Sequence, residues 1–337
     1  MLVLGNILVT GGAGFIGSHL VKKLVQEKNN VRVLDTGWRF GKRNLEDILD
    51  KIEFVDADIR DFEKVKEAVK DVDTVYHLSA ILGTSYFYTH PHLVVDVGLT
   101  GTMNILKAIV GSGVKRLLFT SSSEVYATPQ VFPTPEIHPL VVPDSRNPRF
   151  SYSSSKIAGE VACINYAKKY GFDTTIVRLH NPYGPRMGWD HVISEFIKKI
   201  VLNEEFTVQG DGTSKRSFCF VDDEVDGIIL AATKDEGKNE IFNIGHDKGE
   251  TSVNRLIEYL EEISGKKLNP IYVPQPAGGT DRRVPDISKA RKMLGYNPKI
   301  SVKEGLKITY DWYKKEIEWW LKNGKPEEYP WQVKKSD

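Results

Sequence analysis

The sequence predicts an α/β protein: a parallel, doubly wound sheet followed by a smaller C-terminal lobe. Three observations carry this. Short apolar strands alternate with helical segments through the first half of the chain. The first strand runs directly into a glycine-rich turn, Gly11-Gly12-Ala13-Gly14-Phe15-Ile16-Gly17, that opens a helix. After about Asn181 the alternation breaks, and Pro, Gly and charged residues increase.

The elements follow in order. Asn6 to Thr10 is a short apolar strand, and Gly17 to Glu27 has the apolar spacing of a helix. Strands are expected at Val31 to Asp35, Ile52 to Asp56, Thr74 to Leu78, Arg116 to Thr120 and Thr175 to Leu179, with a helix from Phe62 to Val69. Such alternation gives parallel strands joined by crossover helices. Beyond Asn181 the helix candidates are His191 to Val201, Val253 to Ile263 and Ile287 to Leu294. A Trp- and Lys-rich amphipathic helix is expected from Val302 to Leu321. The expected division is 1–180 for the sheet domain and 181–325 for the smaller lobe, with some segments returning to the sheet domain, then a loose tail at 326–337.

Composition narrows the function. The 337 residues suffice for two lobes, and the net charge of +1 gives no reason to expect a nucleic-acid or membrane-surface partner. Two cysteines, Cys163 and Cys219, lie outside any metal-spaced pattern and read as buried free thiols of a reducing compartment. The eight histidines show no ligand spacing, so no metal is expected; His77 reads as structural. There is no signal-peptide layout and no apolar run of membrane-spanning length. A cytoplasmic enzyme is the expectation.

The glycine turn suits a dinucleotide. Gly11, Gly12 and Gly14 allow a tight turn and close approach of a pyrophosphate, and Gly17 allows close packing of helix on strand. The amides at Phe15 and Ile16 then open the helix with its positive dipole end. Asp35 ends the second strand, where a carboxylate bonds ribose hydroxyls and repels a 2′-phosphate, so NAD is expected over NADP. Arg39, Lys42 and Arg43 lie close enough to weaken that preference. Asp58 and Ile59 follow the third strand and suit an adenine edge and ring.

Tyr152 and Lys156 are spaced i, i+4 on one helix face. An ammonium and a positive nicotinamide nearby would favour the phenolate, which makes Tyr152 a general base for a sugar hydroxyl. Lys156 can also hold the nicotinamide ribose. Ser122, Ser123 and Glu124 lie at the end of a parallel strand, where ligands bind in such sheets. A hydroxyl there can share the reacting alcohol, and a carboxylate can act as a second acid or base.

Together these residues resemble the extended short-chain dehydrogenase/reductase family, in its nucleotide-sugar epimerase, dehydratase and decarboxylase branch, over roughly residues 5 to 320. The motifs that carry it are Thr10 to Gly17, Asp35, Asp58, the strand end His77-Leu78-Ser79-Ala80, the serine cluster, and Tyr152 with Lys156. The resemblance implies a Rossmann-type sheet, tightly bound NAD, transient oxidation of the sugar at C4, and a homodimer. It implies Ser122 as the catalytic hydroxyl and Leu78, Ser79 and Ala80 as cofactor contacts. Asn181 to Arg186 resembles the segment that closes over the nicotinamide, which gives Tyr183 to the cofactor and Asn181, Arg186 and Val192 to the substrate. Arg216 and Arg283 look like arginines on a nucleoside diphosphate, a UDP-sugar by resemblance.

The reaction after C4 oxidation stays open. Ser122-Ser123-Glu124 is nearest to the Thr-Ser-Glu of UDP-glucuronate decarboxylases, and Arg149 or Arg186 is a candidate for the substrate carboxylate. The acidic residue that typical 4,6-dehydratases carry at the middle position is Ser123 here. Ser153-Ser154-Ser155 and the loop Ile81 to Tyr88 depart from the decarboxylase pattern. Decarboxylase leads, 4-epimerase is the alternative, and 4,6-dehydratase or C3/C5 epimerase follow. An alcohol dehydrogenase that releases NADH would need no diphosphate arginines. A non-catalytic NAD sensor would need no Tyr/Lys pair.

Overall fold

The computed structural model describes residues 5–39, 41–189, 191–274 and 282–324. Strand β1 (Asn6–Thr10) leads through the glycine turn into helix α1 (Phe15–Gln26), and β2 (Asn30–Asp35) lies parallel beside β1. There follow β3 (Ile52–Asp56), α2 (Phe62–Ala68), β4 (Thr74–His77), a short helix α3 (Thr84–Thr89) and the long α4 (Pro91–Ile109). β5 (Arg116–Ser122) carries the serine cluster at its end, α5 (Ser151–Tyr170) carries Tyr152 and Lys156, and β6 (Asp173–Leu179) closes this series.

The remainder is built of shorter pieces: β7 (Pro182–Tyr183), α6 (Val192–Leu202), β8 (Thr207–Gln209), β9 (Lys215–Ser217), β10 (Cys219–Phe220), α7 (Val221–Thr233), β11 (Glu240–Ile244), β12 (Glu250–Ser252), α8 (Val253–Ser264), β13 (Ile271–Val273), β14 (Arg282–Arg283), α9 (Ser288–Leu294) and α10 (Val302–Asn323). Side-chain caps start several helices. Asp61 accepts from Lys64 N on α2, Ser252 from Arg255 N on α8, and Ser301 from Glu304 N on α10. α5 and α8 end on left-handed glycines, Gly171 and Gly265.

The central sheet has seven strands in the order β11-β6-β5-β4-β1-β2-β3, all parallel. Alternation along β1 sends Ile7 and Val9 into one apolar layer and Leu8 into the other. The first layer includes Leu20, Val21 and Leu24 of α1; the second includes Ile105 and Leu106 of α4. Both faces of the sheet are therefore covered, which is why its strands read as near-continuous apolar runs.

Several elements were not read from the sequence, among them α7, the short strands of the second lobe, β11 and α3. β11 is the seventh strand, supplied by chain that has already left the sheet; its short Ile241-Phe242-Asn243-Ile244 run is interrupted by a buried polar residue. The loop after β4 forms α3, a single short turn without a side-chain cap. The expected tail at 326–337 lies outside the described residues.

Candidate active site

A cleft of about 500 Å³ runs across the C-terminal ends of β2, β1, β4 and β5, at the edge where parallel sheets take ligands. Its floor is the glycine turn. Gly11 sits at φ +74°, and a Cβ there would stand 2.8 Å from Ser79 N. A Cβ on Gly17 would stand 2.1 Å from the Gly11 carbonyl. Gly14 precedes α1 and offers no side-chain cap. The first amides of α1, at Phe15, Ile16 and Gly17, thus open on the cleft without helical partners, a ready anion site. This cradle fits the pyrophosphate of NAD.

Asp35 lines the same cleft and accepts the amides of Ala13 (3.0 Å) and Gly37 (2.9 Å). Burial raises its pKa, and those two amides offset part of the rise. Asp58 also lines the cleft, but the Arg60 guanidinium forks onto its carboxylate and holds its pKa down, while Arg60 also bonds Asp96. Ile59, Leu78, Ser79 and Ala80 complete this wall. His77 lies beneath it between the hydroxyls of Thr10 (2.8 Å) and Thr102 (3.0 Å), kept neutral by burial.

The basic residues after Asp35 diverge. Lys42 lies over the Phe54 ring and Arg43 reaches Glu316 at 2.5 Å. Neither lines the cleft, whereas Arg39 does.

Tyr152, Lys156, Ser122, Ser123 and Glu124 come together at the other end of the cleft. The Ser122 hydroxyl accepts the Glu124 amide at 3.2 Å, which tightens the turn after β5. Burial raises the Tyr152 pKa well above that of an ordinary phenol; the Glu124 charge adds to this, and a hydrogen bond with Ser122 opposes it. Lys156 is buried one turn along α5 from Tyr152. Its ammonium donates to the Thr120 carbonyl at 2.7 Å and lies 5.7 Å from the centre of the Tyr152 ring. Burial lowers its own pKa to about 8.

Glu124 is the most heavily committed group. Arg283 grips it with both terminal nitrogens, one of them at 3.1 Å from Oε2, and Arg149 reaches Oε2 at 3.4 Å. Burial alone would raise its pKa, but the charges of Arg283, Arg149 and Arg216 bring it down to about 2. Arg216 and Arg283 are register partners on the adjacent parallel strands β9 and β14. Arg283 thus sits against a carboxylate that follows the end of β5, beside Ser122.

Other residues singled out in the sequence lie elsewhere. Arg186 lies over the Trp312 ring, and its charge acts on Lys22, Asp47 and Asp222, so it does not join Arg149 beside Glu124. Tyr183 is 1% exposed, donates its hydroxyl to the Val302 carbonyl and does not line the cleft. Val192 opens α6 and packs against the core, while its neighbour His191 faces the cleft. Asn181 lines the cleft at φ +46° and donates to the Ser217 carbonyl.

Two contacts in and beside the cleft involve residues the sequence had marked, though not these pairings. Phe87 of α3 stacks on the Tyr152 ring, 5.5 Å between centres and 14° from parallel, and Arg39 donates to the Leu82 carbonyl at 2.6 Å. Among the described residues, no group of three His, Cys, Asp or Glu could hold a metal ion, and no helix is long and apolar enough to cross a membrane.

Comparison with known proteins agrees with this geometry. Residues 7–245 match the family model described as the NAD dependent epimerase/dehydratase family. UDP-glucuronic acid decarboxylase 3 of Arabidopsis thaliana is 36% identical over 90% of this chain and 87% of its own. The crystal structure of UDP-glucose 4-epimerase from Thermotoga maritima with UDP-glucose aligns with a TM-score of 0.85 at 34% identity, covering 93% of this chain and 99% of its own. UDP-glucuronic acid 4-epimerase from Bacillus cereus, solved with UDP-glucuronic acid and NAD, aligns with a TM-score of 0.84 at 30% identity, covering 92% and 99%.

Proposed function

Because the chain belongs to the NAD-dependent epimerase/dehydratase family, we propose that it modifies a UDP-sugar at C4 and that its reaction is decarboxylation of a UDP-hexuronate, UDP-glucuronate, to a UDP-pentose. The observation that carries this is the Glu124 cluster. One carboxylate is faced by Arg149 and Arg283, with Arg216 on the next strand. Three guanidinium groups thus act on one carboxylate beside Ser122 and Tyr152. A substrate carboxylate at C5 can share those guanidinium forks, which a neutral hydroxymethyl group would not need.

NAD held on the glycine turn supplies the reversible hydride acceptor for C4. Tyr152 takes the C4 hydroxyl proton, and Ser122 hydrogen-bonds the same oxygen. Burial works against the phenolate and the Ser122 hydrogen bond opposes that; a positive nicotinamide beside the ring would favour the phenolate further. The C4 ketone makes the C5 carboxylate a β-keto acid. The C5–C6 bond breaks, CO2 leaves, and the electron pair passes into the enolate at O4, where Tyr152 and Ser122 stabilise it. C5 then takes up one proton from solvent, and Tyr152 returns its proton to O4 when the hydride taken from C4 is given back there, so that the UDP-pentose would leave with no net oxidation. Arg149 and Arg283 orient the carboxylate out of the ring plane.

The 4-epimerase reading is the second one, favoured by the two solved neighbours and served by the same Tyr152 and Ser122. A 4,6-dehydratase is poorly served: Glu124 stays ionised to about pH 2 and has no proton for the C6 hydroxyl, and Ser123 is a weak acid. We also read the protein as a cytoplasmic homodimer packed through α4 and α5; Val161 and Tyr170 are exposed apolar residues on α5.

The test is the mass of the product formed from UDP-glucuronate with NAD. Loss of one CO2 supports decarboxylation. An unchanged mass with a new chromatographic peak replaces it with epimerisation, and loss of one water revives the dehydratase. Light scattering of the purified protein decides the dimer.

A further inference from the structure

We propose that Arg39 is a strap across the dinucleotide cleft, a cationic clamp on the NAD diphosphate that slows release of the cofactor. It rests on NAD as the ligand and not on which sugar reaction follows.

The argument is one of path and chemistry. Arg39 lies four residues past Asp35, on the loop that leaves β2. Its guanidinium donates to the carbonyl of Leu82, on the loop that leaves β4. In the sheet β1 lies between β2 and β4. A side chain from the β2 loop bonded to the β4 loop therefore crosses over the end of β1. The glycine turn and the open first amides of α1 follow that strand end. Arg39 and those amides line the same cleft. A pyrophosphate on the helix start would thus share its cleft with fixed N–H dipoles and with a planar, permanently charged guanidinium.

The second lobe is shaped around this side chain. Gly188 follows the β7 segment, and a Cβ there would lie 2.3 Å from Arg39 Nη2. The absence of a side chain at 188 makes the room that the guanidinium occupies. His191, three residues on, also lines the cleft. Burial, with the Arg39 charge second, lowers its pKa to about 4, so at neutral pH it adds no competing positive charge. Trp38 packs its ring 5.1 Å from Tyr86 of α3, the helix whose Phe87 stacks on Tyr152. The strap is thus anchored on the loop that covers the catalytic tyrosine.

The purified enzyme loaded with labelled NAD is diluted into excess unlabelled NAD, and the release rate is followed at low and high salt. Arg39→Gln is expected to speed release by about tenfold or more, because losing one partner of a charged contact acts mainly on dissociation. Arg39→Lys should restore part of the retention. The salt dependence of release should be shallower in Arg39→Gln than in the unaltered protein. Gly188→Ala, which pushes the guanidinium aside without removing its charge, should fall between. Unchanged release in Arg39→Gln would overturn the proposal. So would faster release with an unaltered salt dependence and no rescue by lysine, since that is the signature of a merely loosened loop. If instead the protein binds NAD with normal retention but shows no sugar reaction, the strap stands and the proposed reaction fails.

Discussion

Arg283 of β14 grips Glu124 at the end of β5 with both terminal guanidinium nitrogens, across 159 positions of sequence. This pair locks a small strand of the second lobe onto the tip of β5. It also keeps Glu124 ionised. Glu124→Gln is expected to cut decarboxylation by about a hundredfold, because Arg149 and Arg283 lose the carboxylate that positions them, while leaving bound NAD unchanged. Steady-state rates and cofactor content measured on one preparation check both halves.

The same pair has a pH signature. Glu124 has its folded pKa depressed to about 2, against 4.5 ordinarily, with Arg283 the largest lowering cause. A depressed carboxylate contributes stability that is full above the unfolded pKa and is lost as pH falls toward the folded one. The stability gap between the unaltered protein and Glu124→Gln should therefore narrow between pH 4.5 and pH 2 and be constant at neutral pH. Urea midpoints at several pH values measure it; a gap independent of pH would refute the assignment.

Tyr152→Phe removes the hydroxyl proposed as the proton acceptor and leaves the ring stacked on Phe87. The expected loss in kcat is about 10²- to 10⁴-fold, with NAD retained and the melting temperature little changed. Near-full activity of this variant would defeat every reading that runs through C4 oxidation.

Ser122 has a subtler effect. Its hydrogen bond lowers the Tyr152 pKa against the opposing pull of burial and Glu124. In Ser122→Ala that lowering is gone, so Tyr152 ionises at higher pH. The acid limb of the kcat/KM profile should shift to higher pH, in addition to any drop in the maximum rate. A reduced rate with an unmoved limb would mean that Ser122 acts on the substrate alone.

How much of this was legible depended on range. The glycine turn and Tyr152 with Lys156 are local: spacing on one turn or one helix face decides what they do, and the structure brings both to one cleft. The partner of Glu124 was not legible. It depends on β14 lying in register against β9, two short strands that carry little pattern of their own. Arg186 misled because it adjoins a site motif, yet its left-handed backbone, φ +70°, belongs to a turn that ends against Trp312. β11 was missed because its partner β6 lies far back in the chain, and Asn243, the residue that broke its apolar run, is a buried hub bonding Tyr126, Thr134 and Asp286.

Gly17 offers a sharp backbone test. A methyl group there would lie 2.1 Å from the Gly11 carbonyl and 2.8 Å from Gly12 Cα, both main-chain atoms that cannot swing aside. Gly17→Ala must shift α1 off the turn. NAD binding, followed by fluorescence titration, should be lost before the fold is. Intact binding would mean that the turn tolerates a spacing this geometry forbids.

The last prediction concerns the buried pair that Glu160 of α5 forms with Arg178 of β6. Glu160 lies one turn beyond Lys156 on α5 and accepts the Arg178 fork, at 2.9 Å from Nε and 2.7 Å from Nη2, with both side chains 3% exposed. It also accepts the Ser121 hydroxyl at 2.5 Å, tying α5 to the residue before Ser122 on β5. Removing one partner leaves an uncompensated buried charge. Glu160→Ala should destabilise the protein by about 3–5 kcal/mol, read as a lower urea midpoint. Replacing both, as Glu160→Leu with Arg178→Met, should recover much of that stability, because a well-packed apolar pair carries no desolvation cost. Activity should not recover with it, since the hydroxyl of Ser121 and the end of β5 have lost their anchor. If activity returned together with stability in the double variant, the pair would be a packing element only and Ser122 would be positioned without it.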